Sequence, residues 1–258
     1  MAVPKSARLI AKETVGPRAR RLEFEMVTPS SLGFVGGQFI IIDTGMVRPS
    51  GQPAKRAYTM ISSDAHQTRF ELVACRIEDG MCSNYLHQME LGQTLTFSGP
   101  WGKFLPAPAS LSGSTWVIAT DTGINAALGL LRSTAFRERL SQTTFLWLSP
   151  SADDFVSETF VRERISGPQR GGEPRELRVA SLPPVHHPER LSAALVHFNA
   201  LPRSSVPERV YLTGDGALLY PFASALAESG LHETQVAIES FFNVPPKKAD
   251  VSAGGATK

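Results

Sequence analysis

The spacing of extended segments changes abruptly near the middle of this 258-residue chain. Before residue 100, short β-prone runs follow one another with only turn signals between them, a spacing typical of a small antiparallel barrel. After residue 113, short apolar runs alternate with segments of helical periodicity, which is typical of βαβ units around a parallel sheet. We therefore predict a six-stranded antiparallel barrel followed by a parallel sheet with flanking helices.

Stretches rich in Pro and Gly set the predicted boundaries: a barrel domain at 1–100, a linker at 101–113, a parallel-sheet domain at 114–242 and a C-terminal tail at 243–258. The predicted elements follow from the same patterns. Barrel strands are expected at 7–15, 19–25, 38–44, 55–62, 68–75 and 93–98, with a helix at 82–89. Later strands are expected at 116–119, 143–148, 177–180, 209–212 and 235–238, and helices at 124–139, 156–165, 189–199 and 220–229.

Composition excludes several function classes. A net charge of +2 argues against nucleic acid, and no run approaches the roughly 18 apolar residues of a membrane span. The first residues lack an apolar signal core, so we expect a cytoplasmic protein. Two cysteines cannot supply the four thiolates of an iron–sulfur cluster, so no metal is expected and any redox centre is organic. Basic residues crowd the first half, forming either a solvated barrel surface or a docking face for an acidic partner.

The run Arg56-Ala57-Tyr58-Thr59 combines a guanidinium, an aromatic ring and a hydroxyl. On a strand, Arg56 and Tyr58 share one face, and Thr59 lies on the other or at the rim. A planar cation suits a phosphate, and a phenol ring suits a flat heterocycle. Downstream, Gly80-Met81-Cys82-Ser83 runs into a short helix whose first N–H groups would form an anion site. Together the two runs could hold a flavin ring and its pyrophosphate.

Three segments follow strands of the predicted parallel sheet, at the edge where ligands bind in such sheets. They are 120–123, 213–216 and 239–242. The first two are a glycine turn opening a helix and a Thr-Gly-Asp-Gly turn; each could flank a nucleotide or be an ordinary tight turn. The third, Glu-Ser-Phe-Phe, could line a site between the domains, or its aromatic rings could simply pack in the core.

These residues resemble the ferredoxin–NADP reductase superfamily, over roughly residues 5 to 243. Residues 56–59 fit its R-x-Y-[ST] motif, 76–86 its second flavin motif, 99–104 its G-P-x-G-x-F linker, and 117–126 its strand–turn–helix nucleotide element. The resemblance implies an FAD-binding barrel and a Rossmann-like NAD(P)-binding domain. It implies a reductase that passes electrons between NADPH or NADH and a one-electron carrier such as ferredoxin or flavodoxin.

The resemblance assigns roles residue by residue. Arg56 would contact the flavin pyrophosphate, Tyr58 would pack on the flavin ring, and Thr59 would hydrogen-bond near N5. The expected catalytic residues are Tyr58, Thr59 and Glu239. The expected cofactor-binding residues are Arg56, Ala57, Tyr58, Thr59, Ala74, Arg76, Gly80, Met81, Cys82, Ser83, Thr120, Thr122, Gly123, Gly214, Asp215, Phe241 and Phe242.

The chain departs from the family pattern at the nucleotide side. Asp121 stands where Gly is usual, Ala126 where Pro is usual, and Thr213 where Cys is usual. A carboxylate beside a pyrophosphate is repulsive at close range. The loop at 149–154 lacks the Arg expected for a 2′-phosphate, although Arg162 and Arg164 follow it. The departures favour NADH slightly, or weak and permissive nucleotide binding.

Three functions are therefore compared. The first is the NAD(P)H-dependent flavoprotein reductase. The second is a flavoprotein electron-transfer module that has weakened or lost nucleotide use and is reduced by a protein partner. The third is an FAD-free scaffold, which the retained Arg56, Tyr58, Thr59 and Ser83 argue against.

Overall fold

A computed structural model describes residues 3–28, 30–108, 113–150, 155–166, 172–202 and 206–244. Its first half is a six-stranded antiparallel sheet with strand order β4-β3-β6-β1-β2-β5. A further bridge between Met60 and Leu72 joins the two edge strands, so the sheet closes into a barrel. The strands are β1 Lys5–Gly16, β2 Ala19–Met26, β3 Phe39–Val47, β4 Pro53–Thr59, β5 Arg69–Cys75 and β6 Thr94–Trp101.

The barrel interior is filled by alternate side chains of its strands. Leu22 and Phe24 of β2 are fully buried, and the intervening residues are not. Phe24 stacks on Phe70 with ring centroids 5.3 Å apart, and Phe97 meets Phe70 edge-on at the same distance. Helix α1 (Met81–Gln88) packs on this core through Leu86.

The second half is a five-stranded parallel sheet with strand order β11-β10-β7-β8-β9. Strands β7 and β8 are buried along their whole length because helices or the barrel cover both faces of the sheet. The predicted fold class is thus confirmed. The strands are β7 Thr115–Thr120, β8 Thr143–Ser149, β9 Glu176–Ser181, β10 Arg209–Asp215 and β11 Val236–Phe242, and the helices are α2 Ile124–Leu131, α3 Glu158–Ile165, α4 Arg190–Asn199 and α5 Gly216–Glu228.

The predicted single helix at 124–139 is wrong. Helix α2 ends at Leu131, and a separate 3₁₀ segment runs over Thr134–Gln142. Ser133 between them is extended (φ −64°, ψ 141°). Its hydroxyl donates to Asp64 Oδ2 at 2.6 Å, and Thr134 N donates to Asp64 Oδ1 at 2.8 Å. A barrel carboxylate therefore caps the second segment and breaks the helix.

Two other helices begin elsewhere than the periodicity predicts, because a side chain caps them. Ser157 accepts a hydrogen bond from Phe160 N at 3.1 Å, so α3 begins at Glu158 rather than at 156. Asp215 Oδ1 accepts from Ala217 N at 3.0 Å, so α5 begins at Gly216, four residues before the predicted start.

Residues 101–108 of the predicted linker belong to the packed structure, and residues 109–112 lie outside the described residues. Strand β6 continues to Trp101, and the next residues pack beneath the parallel sheet. Phe104 is 3% exposed, and its ring meets Tyr211 of β10 edge-on at 5.5 Å. Ala107 N donates to the Tyr211 hydroxyl at 2.6 Å. The two domains therefore share packed residues instead of being joined by a tether.

Glycines allow the domains to approach closely. A Cβ at Gly129 of α2 would overlap the Met60 carbonyl oxygen, and one at Gly36 would overlap the Gly129 carbonyl oxygen. Asn125 Nδ2 donates to Val73 O of β5 at 3.0 Å across the same junction. This packing places the end of β4 beside the carboxyl edge of the parallel sheet.

Candidate active site

The motif at the end of β4 lies where the two cores meet. Arg56 is exposed, Tyr58 is half-buried against the barrel core, and Thr59 is 7% exposed. Ile61, two residues beyond Thr59, belongs to the core under the parallel sheet. Burial raises the pKa of Tyr58, so its phenol stays neutral. The strand thus carries a cation, a neutral aromatic ring and a hydroxyl group within four consecutive residues.

The N-terminus of α1 is shaped as an anion site. Gly80 is its extended N-cap, no side chain within the described residues caps its first N–H groups, and its first turn holds no acidic residue. The Ser83 hydroxyl accepts from Ile77 N at 3.1 Å and donates to Gly80 O at 3.0 Å. The Ser83 hydroxyl therefore stabilises the glycine turn that precedes these N–H groups.

The other residues of the second motif brace the same turn. Cys82 Sγ donates to Ala54 O of β4 at 3.4 Å, and Arg76 Nε donates to Asn84 Oδ1 at 3.0 Å. These contacts fix α1 against β4 and orient its N-terminus. Of the remaining predicted ligands on the barrel, Ala57 is exposed on β4, Ala74 is buried in the barrel core and Met81 opens α1.

Two guanidinium groups, those of Arg48 and Arg56, lie close enough to Cys82 in the first turn of α1 to act on its charge. Burial raises the pKa of the Cys82 thiol, while Arg48 and Arg56 nearby act to lower it. Arg48 is held in the β3–β4 turn, where its Nη2 donates to Lys55 O at 3.0 Å. A diphosphate suits two cations at an uncapped helix N-terminus, so the site fits the phosphate end of FAD. Arg48 carries no motif that marks it in the sequence, because only the fold of the 48–52 turn brings it near the site.

Across the junction, β10 and β11 present two polar side chains side by side. Thr213 and Glu239 are register partners in the parallel sheet. Thr213 Oγ1 and Glu239 Oε2 are both buried and have no hydrogen-bond partner among the described residues. Burial raises the pKa of Glu239 to about 7. A Cβ built on Gly102 would lie 3.8 Å from Glu239 Oε1, and Gly102 contacts Phe39, the β3 register partner of Thr59.

The two aromatic residues that follow Glu239 have different surroundings. Phe241 packs against the core that includes α2, on the same face of β11 as Glu239. The Phe242 carbonyl and Asn243 instead lie over Gly216 at the start of α5. Of the two phenylalanines, Phe241 is therefore the one placed toward the barrel.

The two turns that could flank a nucleotide, at 120–123 and 213–216, contact each other. A Cβ on Gly123 would overlap Thr213 O, and one on Gly214, whose φ is +128°, would overlap Thr120 O. Asp215 N donates to Thr120 Oγ1 at 2.7 Å. The structure brings Thr120, Gly123, Gly214 and Asp215 together, and contacts within the protein account for their close approach. Thr122 is partly exposed beside them.

Asp121 turns its carboxylate into the protein. Its backbone is in the left-handed region (φ 52°), and its Oδ2 accepts from Arg190 Nη2 at 2.5 Å. Arg190 opens α4 and also lies 3.5 Å from Asp215 Oδ2 through its Nε. Burial raises the pKa of Asp121, while Arg190 acts to lower it. Nothing in the sequence pattern identified Arg190, because the contact joins residues 69 positions apart.

The arginines considered for a 2′-phosphate bind carboxylates. Arg162 Nη2 lies 2.6 Å from Glu158 Oε1 on α3, and Arg164 Nη1 lies 3.2 Å from Glu71 Oε2 of the barrel. Residues 151–154 of the candidate loop lie outside the described residues. Ala126, where the family usually has Pro, is fully buried in α2.

A barrel with a cationic helix terminus and an aromatic strand end, facing a parallel sheet with a buried carboxyl group, defines a two-domain flavin-dependent oxidoreductase. Comparisons with known proteins agree. Residues 6–105 match the family described as "Oxidoreductase FAD-binding domain". The chain is 34% identical over 173 residues to ferredoxin–NADP reductase B of Sorangium cellulosum, covering 67% of each chain. It therefore belongs to the ferredoxin–NADP reductase family of NAD(P)H-dependent flavoprotein oxidoreductases.

More distant relatives share the fold or part of the sequence. The human NADH-cytochrome b5 reductase-like protein is 28% identical over 159 residues, which are 60% of this chain and 49% of that protein. The ferredoxin reductase in carbazole 1,9a-dioxygenase superposes with a TM-score of 0.72 at 19% identity, covering 93% of this chain and 70% of that one. Within the described ranges, no helix is long and apolar enough to cross a membrane.

Proposed function

We propose that this chain accepts reducing equivalents from NADH or NADPH and delivers electrons singly to a carrier protein such as ferredoxin or flavodoxin. The observation that carries the proposal is the chain of neighbours from Thr59 to Glu239. Phe39 pairs with Thr59, and a Cβ on Gly102 would lie 3.1 Å from the Phe39 ring and 3.8 Å from Glu239 Oε1. FAD, when bound, supplies the conversion of a two-electron donor into one-electron steps. The protein supplies binding, orientation and charge.

Each side of the junction has a separate task in this proposal. Arg56 and Arg48 neutralise the diphosphate at the N-terminus of α1. The Tyr58 ring packs on a flat heterocycle, and the Thr59 hydroxyl offers a hydrogen bond at its edge. Glu239, with its pKa near 7, can hold or release a proton at its carboxyl oxygen at neutral pH.

The carrier is proposed to be acidic. Trp101 is 40% exposed at the end of β6, and the next residue but one, Lys103, is exposed beside it. Gly102 between them lies next to Glu239, so this surface adjoins the candidate active site. An exposed aromatic ring with a neighbouring cation suits a transient contact with an acidic protein.

An anaerobic titration tests the proposed function. Purified protein is expected to show flavin absorbance that bleaches on addition of NADH or NADPH and returns when an oxidised carrier protein is added. Protein that carries FAD, is reduced by dithionite, and is bleached by neither nucleotide contradicts the proposal.

A second candidate has support from the Asp121–Arg190 ion pair. In this alternative the flavoprotein uses pyridine nucleotide weakly and is reduced by a protein donor. The pair places a carboxylate and its partner guanidinium at the turn where the nucleotide is expected. In the same titration, bleaching by a reduced donor protein without bleaching by either nucleotide supports this second function.

A further inference from the structure

A buried group of charges lies at the carboxyl ends of β7 and β10. The Arg190 side chain is 4% exposed, that of Asp121 is 7% exposed and that of Asp215 is 1% exposed. With both carboxyl groups ionised, two negative charges share one guanidinium. This charge group occupies the edge of the sheet at which nucleotides bind in such folds.

The bonding inside this group is uneven. Arg190 Nη2 donates to Asp121 Oδ2 at 2.5 Å, and its Nη1 donates to the Pro183 carbonyl oxygen. Arg190 Nε and Asp215 Oδ2 lie 3.5 Å apart, and neither atom makes a hydrogen bond within the described part of the chain. Asp121 therefore provides the one carboxylate hydrogen bond that this guanidinium makes within the described residues, and the Nε–H group is left for another acceptor.

Asp215 is held in place by other contacts. Its Oδ1 accepts from Ala217 N at 3.0 Å and from Asn243 Nδ2 at 2.9 Å, so it caps α5. The Asp121 side chain caps no helix among the described residues: its partners are Arg190 and Thr120, and its backbone is in the strained left-handed region. Of the two carboxylates, Asp121 is the one that can leave Arg190 without uncapping a helix.

We propose that Asp121 is an internal competitor for the diphosphate of the pyridine nucleotide, because its carboxylate occupies the guanidinium of Arg190 that a diphosphate would otherwise bind. The inference rests on the proposed use of NAD(P)H and specifies how this chain limits it. Nucleotide binding then exchanges one charge-assisted hydrogen bond of Arg190 for another. The affinity for the diphosphate is reduced by whatever free energy the internal pair contributes.

Competition differs measurably from simple repulsion. If the Asp121 charge only repels the diphosphate, its removal strengthens binding whether or not Arg190 is present. If the two compete, the gain depends on Arg190. A double-mutant cycle of Asp121→Asn and Arg190→Gln separates these cases. Glu189→Gln is the matched control, because it removes an exposed carboxylate one residue from Arg190.

The probe is ADP-ribose, which carries the diphosphate without the nicotinamide, and adenosine is the phosphate-free control. Binding is measured by calorimetry on the FAD-loaded protein, with flavin content and circular dichroism verifying each fold. Asp121→Asn is expected to bind ADP-ribose about tenfold more tightly, the scale of one charge-assisted hydrogen bond. Adenosine binding and the Glu189→Gln variant are expected to remain unchanged.

Three results overturn the competition: no gain in Asp121→Asn, an equal gain in Glu189→Gln, or a gain that persists in the Arg190→Gln background. If Arg190→Gln fails to fold, Arg190→Met takes its place in the cycle, because an apolar side chain of similar length removes the guanidinium without leaving a polar group buried, and the gain of Asp121→Asn must again be lost in that background. Failure of the proposed function appears differently, as an absence of bleaching by NADH and NADPH in every variant. Unchanged ADP-ribose affinity with bleaching intact rejects the competition alone.

Discussion

Glu239 is a partly buried residue whose pKa is raised to about 7 by loss of hydration of its carboxyl group. At a pH below about 4.5 it is neutral in the folded and unfolded chain and has no effect on stability. Between pH 4.5 and 7 the unfolded chain ionises while the folded chain keeps its proton, so the penalty on folding grows to about 3 kcal/mol. The penalty is absent well below pH 4.5 and fully present above pH 7.

The Glu239→Gln variant is expected to unfold at higher urea concentration than the parent protein at pH 8 and at the same concentration at pH 4.5. Urea titrations of the FAD-loaded protein at the two pH values measure this. Glu90→Gln, at an exposed position of the barrel, is the control. An identical shift at both pH values would show that Glu239 has an ordinary pKa.

Arg56 supplies charge and planar geometry to the proposed diphosphate site. Arg56→Ala is expected to weaken FAD binding about tenfold or more, and Arg56→Lys by less, because lysine keeps the charge but not the bidentate fork. Flavin fluorescence on dilution gives the two dissociation constants. Arg69→Ala is the control, since Arg69 is exposed and pairs with Glu25 away from the site. Equal FAD retention in all three variants would contradict the assignment.

For individual residues, the sequence alone predicts relative positions in the candidate site where those residues are consecutive in the chain. Residues 56–59 lie on one strand end, so their relative positions follow from the β period alone. Arg48 and Arg190 were not identifiable, since a turn and a helix start bring them to their contacts. Their positions depend on tertiary packing, which no local pattern encodes.

Among the elements, the break between α2 and the 3₁₀ segment depends on one barrel residue. Asp64 accepts hydrogen bonds from Ser133 Oγ, from Thr134 N and from Gly36 N. Burial acts to raise the pKa of Asp64, but these hydrogen bonds lower it overall. The helical periodicity of residues 124–139 does not show this break, because the capping residue Asp64 is 69 positions away from Ser133 in the sequence.

Asp64→Ala is expected to lower the free energy of unfolding by about 2 kcal/mol, since it removes a helix cap and bonds between the domains. Asp43→Ala is the control, because Asp43 bonds to Lys55 at a more exposed position where ion pairs contribute little. Urea unfolding at pH 7 compares the two. A loss no larger in Asp64→Ala than in Asp43→Ala would show that the cap does not hold the junction.

For the whole molecule, Glu71 ties the barrel to the second domain. Its side chain is 13% exposed and contacts Arg21 on β2, Arg132 after α2 and Arg164 on α3. Burial acts to raise the pKa of Glu71, but the arginines bring it down to about 2. This lowered pKa stabilises the folded chain above pH 4.5 by about 3 kcal/mol, and the stabilisation is lost as the pH falls toward 2.

Glu71→Gln is expected to cost stability at pH 7 and to reduce the difference in stability between pH 7 and pH 3. Thermal melts at the two values measure the change, with Glu25→Gln as control, because the Glu25 side chain is 43% exposed and pairs with Arg69 alone among the described residues. A parent protein and variant with the same dependence on pH would show that Glu71 is not the group responsible. Sequence patterns predicted the two domains but not the ion pairs of Glu71 between them. Each of these charged residues is, in the sequence alone, typical of a solvated surface.

The packing of Phe104 and Ala107 against Tyr211 has a consequence for recombination between relatives. A chimera that joins this barrel to another reductase's second domain at residue 108 would bring Phe104 against a foreign strand β10. In that chimera, Phe104 and Ala107 would come from this chain, whereas the residue at the position of Tyr211 would come from the other reductase. A crossover near residue 101 keeps both in one parental block, so the boundary along which such proteins can exchange halves lies at the end of β6.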